Sequence, residues 1–149
     1  MNDEPARPEG HGHVACCCES EHVSERAVQE AVRVAGLSAA RLSFVHVLPP
    51  PGRYTGGRTP WSPPDEVLAQ ELLEDARRWL EPIAARHGGD AVVIMGADLS
   101  LRMKEWAREA GCDLIVACPH TRRILGVVLG SFATGLIRDS PCPVLLVPA

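Results

Sequence analysis

At 149 residues the chain suits one domain with a single core, and folding can bury about two-thirds of its surface. Apolar residues at 46% and charged residues at 23% are ordinary for a globular protein in water. The net charge of −4 speaks against a general binder of nucleic acid or anionic membrane, since either needs a basic face. No apolar run approaches the ~20 residues that span a bilayer. The opening MNDEPARPEGHG lacks the charged and apolar regions of a signal peptide, so a cytoplasmic protein is expected.

Residues 1–12 are polar and rich in Pro and Gly, and are expected to form a disordered tail ahead of one domain at 13–149. His13 to Cys18 (HVACCC) predicts a buried strand, because free Cys behaves as a small hydrophobe. A turn at Glu19–His22 leads into a helix that begins near Ser24. Its apolar stripe is Ala27, Val28, Ala31, Val32 and Ala35, and Gly36 is its expected stop. Arg41 to Leu48 predicts the second strand. From Pro49 to Pro64, six prolines and three glycines predict a long loop, with Ser62 and Pro63 placed to start the next helix. That helix runs to about His87, and Pro82 should kink it or end its regular part. Asp90 to Met95 predicts the third strand and Leu99 to Ala110 the third helix, closed by Gly111. Strands alternating with helices predict a three-layer α/β fold, a parallel sheet covered on both faces.

The last third, DLIVACPHTRRILGVVLGSFATGLIRDSPCPVLLVPA, places strand-length apolar runs on either side of a short helix. Ser131 is the expected cap of a helix from Phe132 to Asp139, and Pro141 and Pro143 end it. A loop entering a helix through Gly130-Ser131 suits an anion. Gly130-Ser131 and Pro141-Cys142-Pro143-Val144-Leu145-Leu146-Val147 resemble the C-terminal motif of the universal stress protein family. So do the run Ser20–Ala27 (SEHVSERA), Phe44-Val45-His46-Val47, and Gly96-Ala97-Asp98. The resemblance implies the family's doubly wound five-stranded parallel sheet, with strand order 3-2-1-4-5. Ligands of such sheets bind beyond the carboxyl ends of the strands where the winding reverses, here strands one and four.

The resemblance also implies a site for ATP or AMP. On the first two strands it falls on Cys17, Cys18, Glu19 and Val47. On the fourth strand and the following loop it falls on Val116, Ala117, His120, Arg122 and Arg123. At the last helix it falls on Gly130, Ser131 and Phe132. Glu19 stands where nucleotide-binding members carry Asp, and its alternative is a solvated turn carboxylate. Ala117 and His120 stand at the first two glycines of the family's G-x-x-G…G-[ST] motif. Glycine there permits positive φ and lets backbone N–H groups close on phosphate, so the motif is degenerate here. Arg122 and Arg123 could reach a phosphate by charge alone.

The resemblance further implies a homodimer through Val144, Leu145, Leu146 and Val147, which pairing would shield as an apolar edge strand. The leading expectation is therefore a dimeric stress-response or signalling module that is not an enzyme, with an unknown protein partner left open. The runner-up is an ATP- or AMP-binding member with weak or no hydrolysis. A third reading is a metal or thiol redox protein built on Cys16-Cys17-Cys18 with His11, His13 and His22. Neighbouring strand residues point to opposite faces, so three in a row cannot converge on one ion, and core packing is the simpler reading. Ser131, His46 and His87 have no partner in register for catalysis.

Overall fold

The computed structural model describes residues 10–53, 65–119 and 130–148. The strands are β1 (His13–Cys17), β2 (Arg41–Leu48), β3 (Asp90–Met95), β4 (Leu114–Ala117) and β5 (Val144–Leu146). They form one parallel sheet of order β3-β2-β1-β4-β5, as expected. The helices are α1 (Glu25–Leu37), α2 (Asp65–Arg86), α3 (Leu99–Glu109) and α4 (Ser131–Ile137). Among the described residues no helix is long and apolar enough to cross a membrane.

Two cores lie on the two faces of the sheet. One gathers Val14, Cys16, Cys18, Phe44 and Val116 with Ala27, Ala31 and Leu80 of α1 and α2. The other gathers Ala15, Cys17, Val45, Ile115 and Ala117 with Met103 and Ala107 of α3 and Leu136 of α4. The period-two alternation of β1 thus sends Cys16 and Cys18 to one helical layer and Cys17 to the other. A buried strand alternates between two apolar layers, which is why every residue of HVACC is buried and only His13, at its amino end, is polar.

The helix ends differ from expectation in instructive ways. Gly36 does not stop α1, which runs on to Leu37 with Ser24 as its N-cap. The stop is Ala39, in the left-handed region at φ 51°, and the Ala40 N–H donates to the Ala35 carbonyl at 2.8 Å. This is a Schellman motif. Helices α2 and α3 end in the same motif, with Gly88 (φ 68°) and Gly111 (φ 67°) in the left-handed place. Their closing bonds are Gly89 N–H to Ala84 at 2.9 Å and Cys112 N–H to Ala107 at 2.9 Å. Ala39 therefore carries a Cβ strain that its two counterparts avoid. Ala39→Gly should stabilise the fold by about 0.5–1 kcal/mol, since the relief exceeds the extra unfolded-chain entropy. Thermal unfolding should then move up by about 2–4 °C; no rise, or a fall, would refute the strain.

Pro82 does not end α2, whose helical run continues to Arg86. Leu80 and Ala84 on either side of it are buried against the sheet, so packing holds the helix through the missing hydrogen bond. Ser131 does not cap α4. Gly130 is the N-cap, without a side-chain bond, and Ser131 is the first helical residue. The helix stops at Ile137 because Asp139 takes φ 50°. Lys104 of α3 donates from Nζ to the carbonyls of Gly135 and Arg138, each at 2.9 Å, satisfying the end of α4. The two helices meet so closely that a Cβ on Gly135 would overlap Ser100 Oγ and stand 2.7 Å from Ser100 Cβ. The expected starting residues Ser62 and Pro63 of α2 lie outside the described residues.

Candidate functional site

The carboxyl ends of β1 and β4 are neighbours at the reversal of winding, and the residues after them form the mouth of the expected site. Cys17, Cys18, Val116 and Ala117 are all buried, at 7%, 2%, 0% and 1% exposure. Their side chains belong to the two cores, so they can meet a ligand only through backbone. Val47 and Phe132 are half-buried against the α3–α4 layer. Glu19 and Ser131 are exposed, and Gly130 is half-buried. His120, Arg122 and Arg123 lie outside the described residues.

Ser131 and Phe132 open onto a cleft of about 600 Å³ between the starts of α3 and α4. Asp98, Ser100, Thr134 and Arg138 line the rest of its polar wall. Asp98 caps α3, accepting from the Leu101 N–H at 3.1 Å and from Ser100 Oγ at 3.1 Å. These bonds hold its carboxyl below the usual range. The sequence reading missed Ser100, Thr134 and Arg138 as members of one cleft, because it forms only when α4 packs on α3. The one available signal was Asp98 as the last residue of Gly96-Ala97-Asp98.

Past the end of β1, Cys18 still donates its N–H to the Val45 carbonyl at 2.8 Å. Its own carbonyl accepts from His46 Nδ1 at 2.7 Å. The His46 ring stands edge-on to Trp79 of α2, with centroids 5.0 Å apart. Burial pushes the His46 pKa below its ordinary 6.5, and the bond to Cys18 offsets this only in part. The unfolded chain therefore takes up this proton first as pH falls. Stability should drop as pH passes down through about 6.5 toward the lowered folded value, and be level above it. His46→Asn should remove that part of the slope in urea titrations at about pH 7.5 and about pH 5.5. Equal slopes in the two proteins would refute it.

At the opposite, amino end of β1, buried His13 bonds Ser43 Oγ through Nε2 at 2.8 Å and the Ala110 carbonyl through Nδ1 at 3.1 Å. Cys112 Sγ lies 3.5 Å from that Nδ1. A carbonyl only accepts, so Nδ1 carries the proton and cannot serve Cys112 as a base. Burial pushes the Cys112 thiol up to about 12. This Cys–His pair ties β1, β2 and α3 together and has no nucleophilic chemistry. Burial also raises Cys17 and Cys142, and Cys18 is raised by its bond to Cys16 and then by burial. Among the described residues no group of three His, Cys, Asp or Glu side chains could hold a metal ion.

Residues 12–148 match the model of the universal stress protein family. No curated protein sequence matches the chain. A universal stress family protein from Burkholderia pseudomallei is similar in structure, with 27% identity and a TM-score of 0.67, over 93% of this chain and 96% of that one. The universal stress protein UspA from Lactobacillus plantarum superposes with a TM-score of 0.70 at 19% identity, over 93% of this chain and 98% of its own. The universal stress protein from Archaeoglobus fulgidus, solved in complex with dAMP, superposes with a TM-score of 0.58 at 18% identity, over 91% and 95% of the two chains. With the fold and strand order of these proteins, and a family match across nearly its whole length, this chain belongs to the universal stress protein family.

Proposed function

We propose that this chain is a cytoplasmic, homodimeric stress-response module whose adenine-nucleotide site has lost most of its affinity, and that it is not an enzyme. The observation that carries this reading is the mouth of the site itself. An exposed carboxylate, Glu19, follows β1 at the place suited to a ribose hydroxyl, while β4 beside it ends in buried Ala117 rather than glycine. The A. fulgidus relative in complex with dAMP supplies the ligand class. Glu19 keeps an attachment for the nucleoside and the Gly130-Ser131 turn one for an anion; Ala117 and His120 weaken the phosphate loop. The rival reading, a member that binds ATP or AMP at full strength, is favoured by the same Glu19 and Gly130-Ser131. Calorimetric titration with AMP and ATP tests both: weak or no heat with either nucleotide is expected, and sub-micromolar binding would overturn the proposal. Burial of Cys16, Cys17 and Cys18 on opposite faces of the sheet argues against the redox reading.

The dimer is argued from the sheet. Strand β5 is an edge, three residues long and half-buried, with β4 on one side only. Two-fold pairing with its copy would satisfy its outer backbone groups and cover Val144, Leu145 and Leu146. Leu145→Lys should turn a dimer into a monomer by light scattering, with a retained far-UV circular dichroism spectrum showing that the fold survives. A monomeric unmodified chain at micromolar concentration, or a dimeric variant, would rule out this interface.

A further inference from the structure

Strand β1 leaves the sheet at Cys18, and β2 holds both backbone groups of that residue. The N–H is held by the Val45 carbonyl at 2.8 Å, and the carbonyl by His46 Nδ1 at 2.7 Å. The register of β1 on β2 (Cys17 with Val45) carries on to place Cys18 directly beside His46. A side chain thus grips the carbonyl of its own cross-strand neighbour, where ladder pairing ends. Because a carbonyl only accepts, the imidazole must be the Nδ1–H tautomer. The edge-on contact with Trp79 holds the ring plane. Burial disfavours the charged imidazolium, so the donor is the neutral ring.

The bond has a directional consequence. In a planar trans peptide the C=O and N–H point in opposite directions. With the Cys18 carbonyl turned toward β2, the Glu19 N–H of the same peptide is turned toward β4, because β1 lies between the two strands, and the Glu19 side chain departs from that fixed peptide. That is the side on which the site opens. Without the imidazole, the peptide loses the contact that sets its rotation, and the direction in which Glu19 leaves the sheet is no longer determined.

We propose that His46 is a positioning residue of the nucleotide site, holding the Cys18–Glu19 peptide so that Glu19 faces the ligand between β1 and β4. This rests on the nucleotide reading given above. His46 does not touch the ligand and acts through the Cys18 carbonyl.

The test uses the full chain with three substitutions. His46→Asn keeps an N–H donor at the place of Nδ1, His46→Val keeps a strand former without a donor, and Glu19→Gln removes the carboxylate charge. Amide exchange read by mass spectrometry over residues 18–23 should quicken about tenfold in His46→Val, the worth of one hydrogen bond, and stay near the unmodified rate in His46→Asn. AMP affinity, read by NMR shift titration because weak binding is expected, should fall about tenfold in His46→Val and recover in His46→Asn. In the Glu19→Gln background His46→Val should cost nothing further, since both act through one carboxylate. Unchanged exchange in His46→Val, or a fully additive loss in the double variant, overturns the proposal. Should His46→Val fail to fold, nitrogen-15 shifts of the unmodified imidazole decide: the Nδ1–H tautomer is required, and Nε2–H overturns the bond. Absence of any AMP binding by the unmodified chain overturns a positioning role toward the nucleotide, leaving the lost-affinity reading standing, while exchange decides whether His46 holds the turn.

Discussion

Cys16, Cys17 and Cys18 of the native protein should resist alkylation at neutral pH and label together only when the protein unfolds. All three are buried, at 0%, 7% and 2% exposure. Burial raises the Cys17 thiol far above its ordinary range; Cys18 is raised by its bond to Cys16 and by burial. The reactive species is the thiolate, so the thiols offer little to attack while β1 stays buried in the sheet. Reaction must then pass through the unfolded population. For a stability at the low end for natural domains, about 5 kcal/mol, that slows labelling by roughly 10³–10⁴-fold against a free thiol. Half-buried Cys118 and Cys142 should label ahead of them. Timed alkylation followed by peptide mass spectrometry reads each position. Rapid modification of all three in folded protein would show that β1 is not the centre of the sheet.

The double substitution Ala117→Gly with His120→Gly should strengthen ATP binding by about tenfold to several hundredfold. The range follows from the two ways a non-glycine can be accommodated in a phosphate loop. A left-handed backbone at His120 stores on the order of 1–3 kcal/mol of strain. If the loop relaxes instead, each backbone N–H turned from a phosphate forfeits about 1.5–3 kcal/mol. At 1.4 kcal/mol per factor of ten, the strain gives about five- to 140-fold and one forfeited N–H about 12- to 140-fold, so the upper end of the range takes more than one N–H. The two positions should not contribute equally. Ala117 is the last residue of β4, and among the described non-glycine residues positive φ occurs only at Ala39 and Asp139. Its Cβ packs into the α3–α4 core, so Ala117→Gly alone should barely change affinity and should lower stability slightly. Calorimetry on the single and double variants, beside the unmodified chain, separates the terms. Tight ATP binding before any substitution, or no gain in the double variant, would show that the loop does not control affinity.

Much of the architecture was written locally. Apolar runs of strand length, one-sided helical stripes and their alternation led to a parallel sheet. The strict alternation of side chains along a strand placed Cys16, Cys17 and Cys18 on alternate faces before any contact was known. The edge position of β5 followed once the resemblance supplied the strand order, because in 3-2-1-4-5 the last strand has one neighbour. What the tertiary structure decided are events that need a partner far along the chain. Pro82 sits in a continuing helix because Leu80 and Ala84 are anchored on the sheet. Ala39 takes the left-handed stop that a nearby glycine seemed to offer, since the backbone bond to Ala35, not residue type, chose the position. His13 reaches Ser43 and Ala110, 30 and 97 residues away, and His46 reaches back 28 residues to the Cys18 carbonyl. The cleft of Asp98, Ser100, Ser131, Thr134 and Arg138 exists only where α4 lies against α3. Periodicity reports which face of an element is apolar, and carries no information about which distant carbonyl or helix that face will meet.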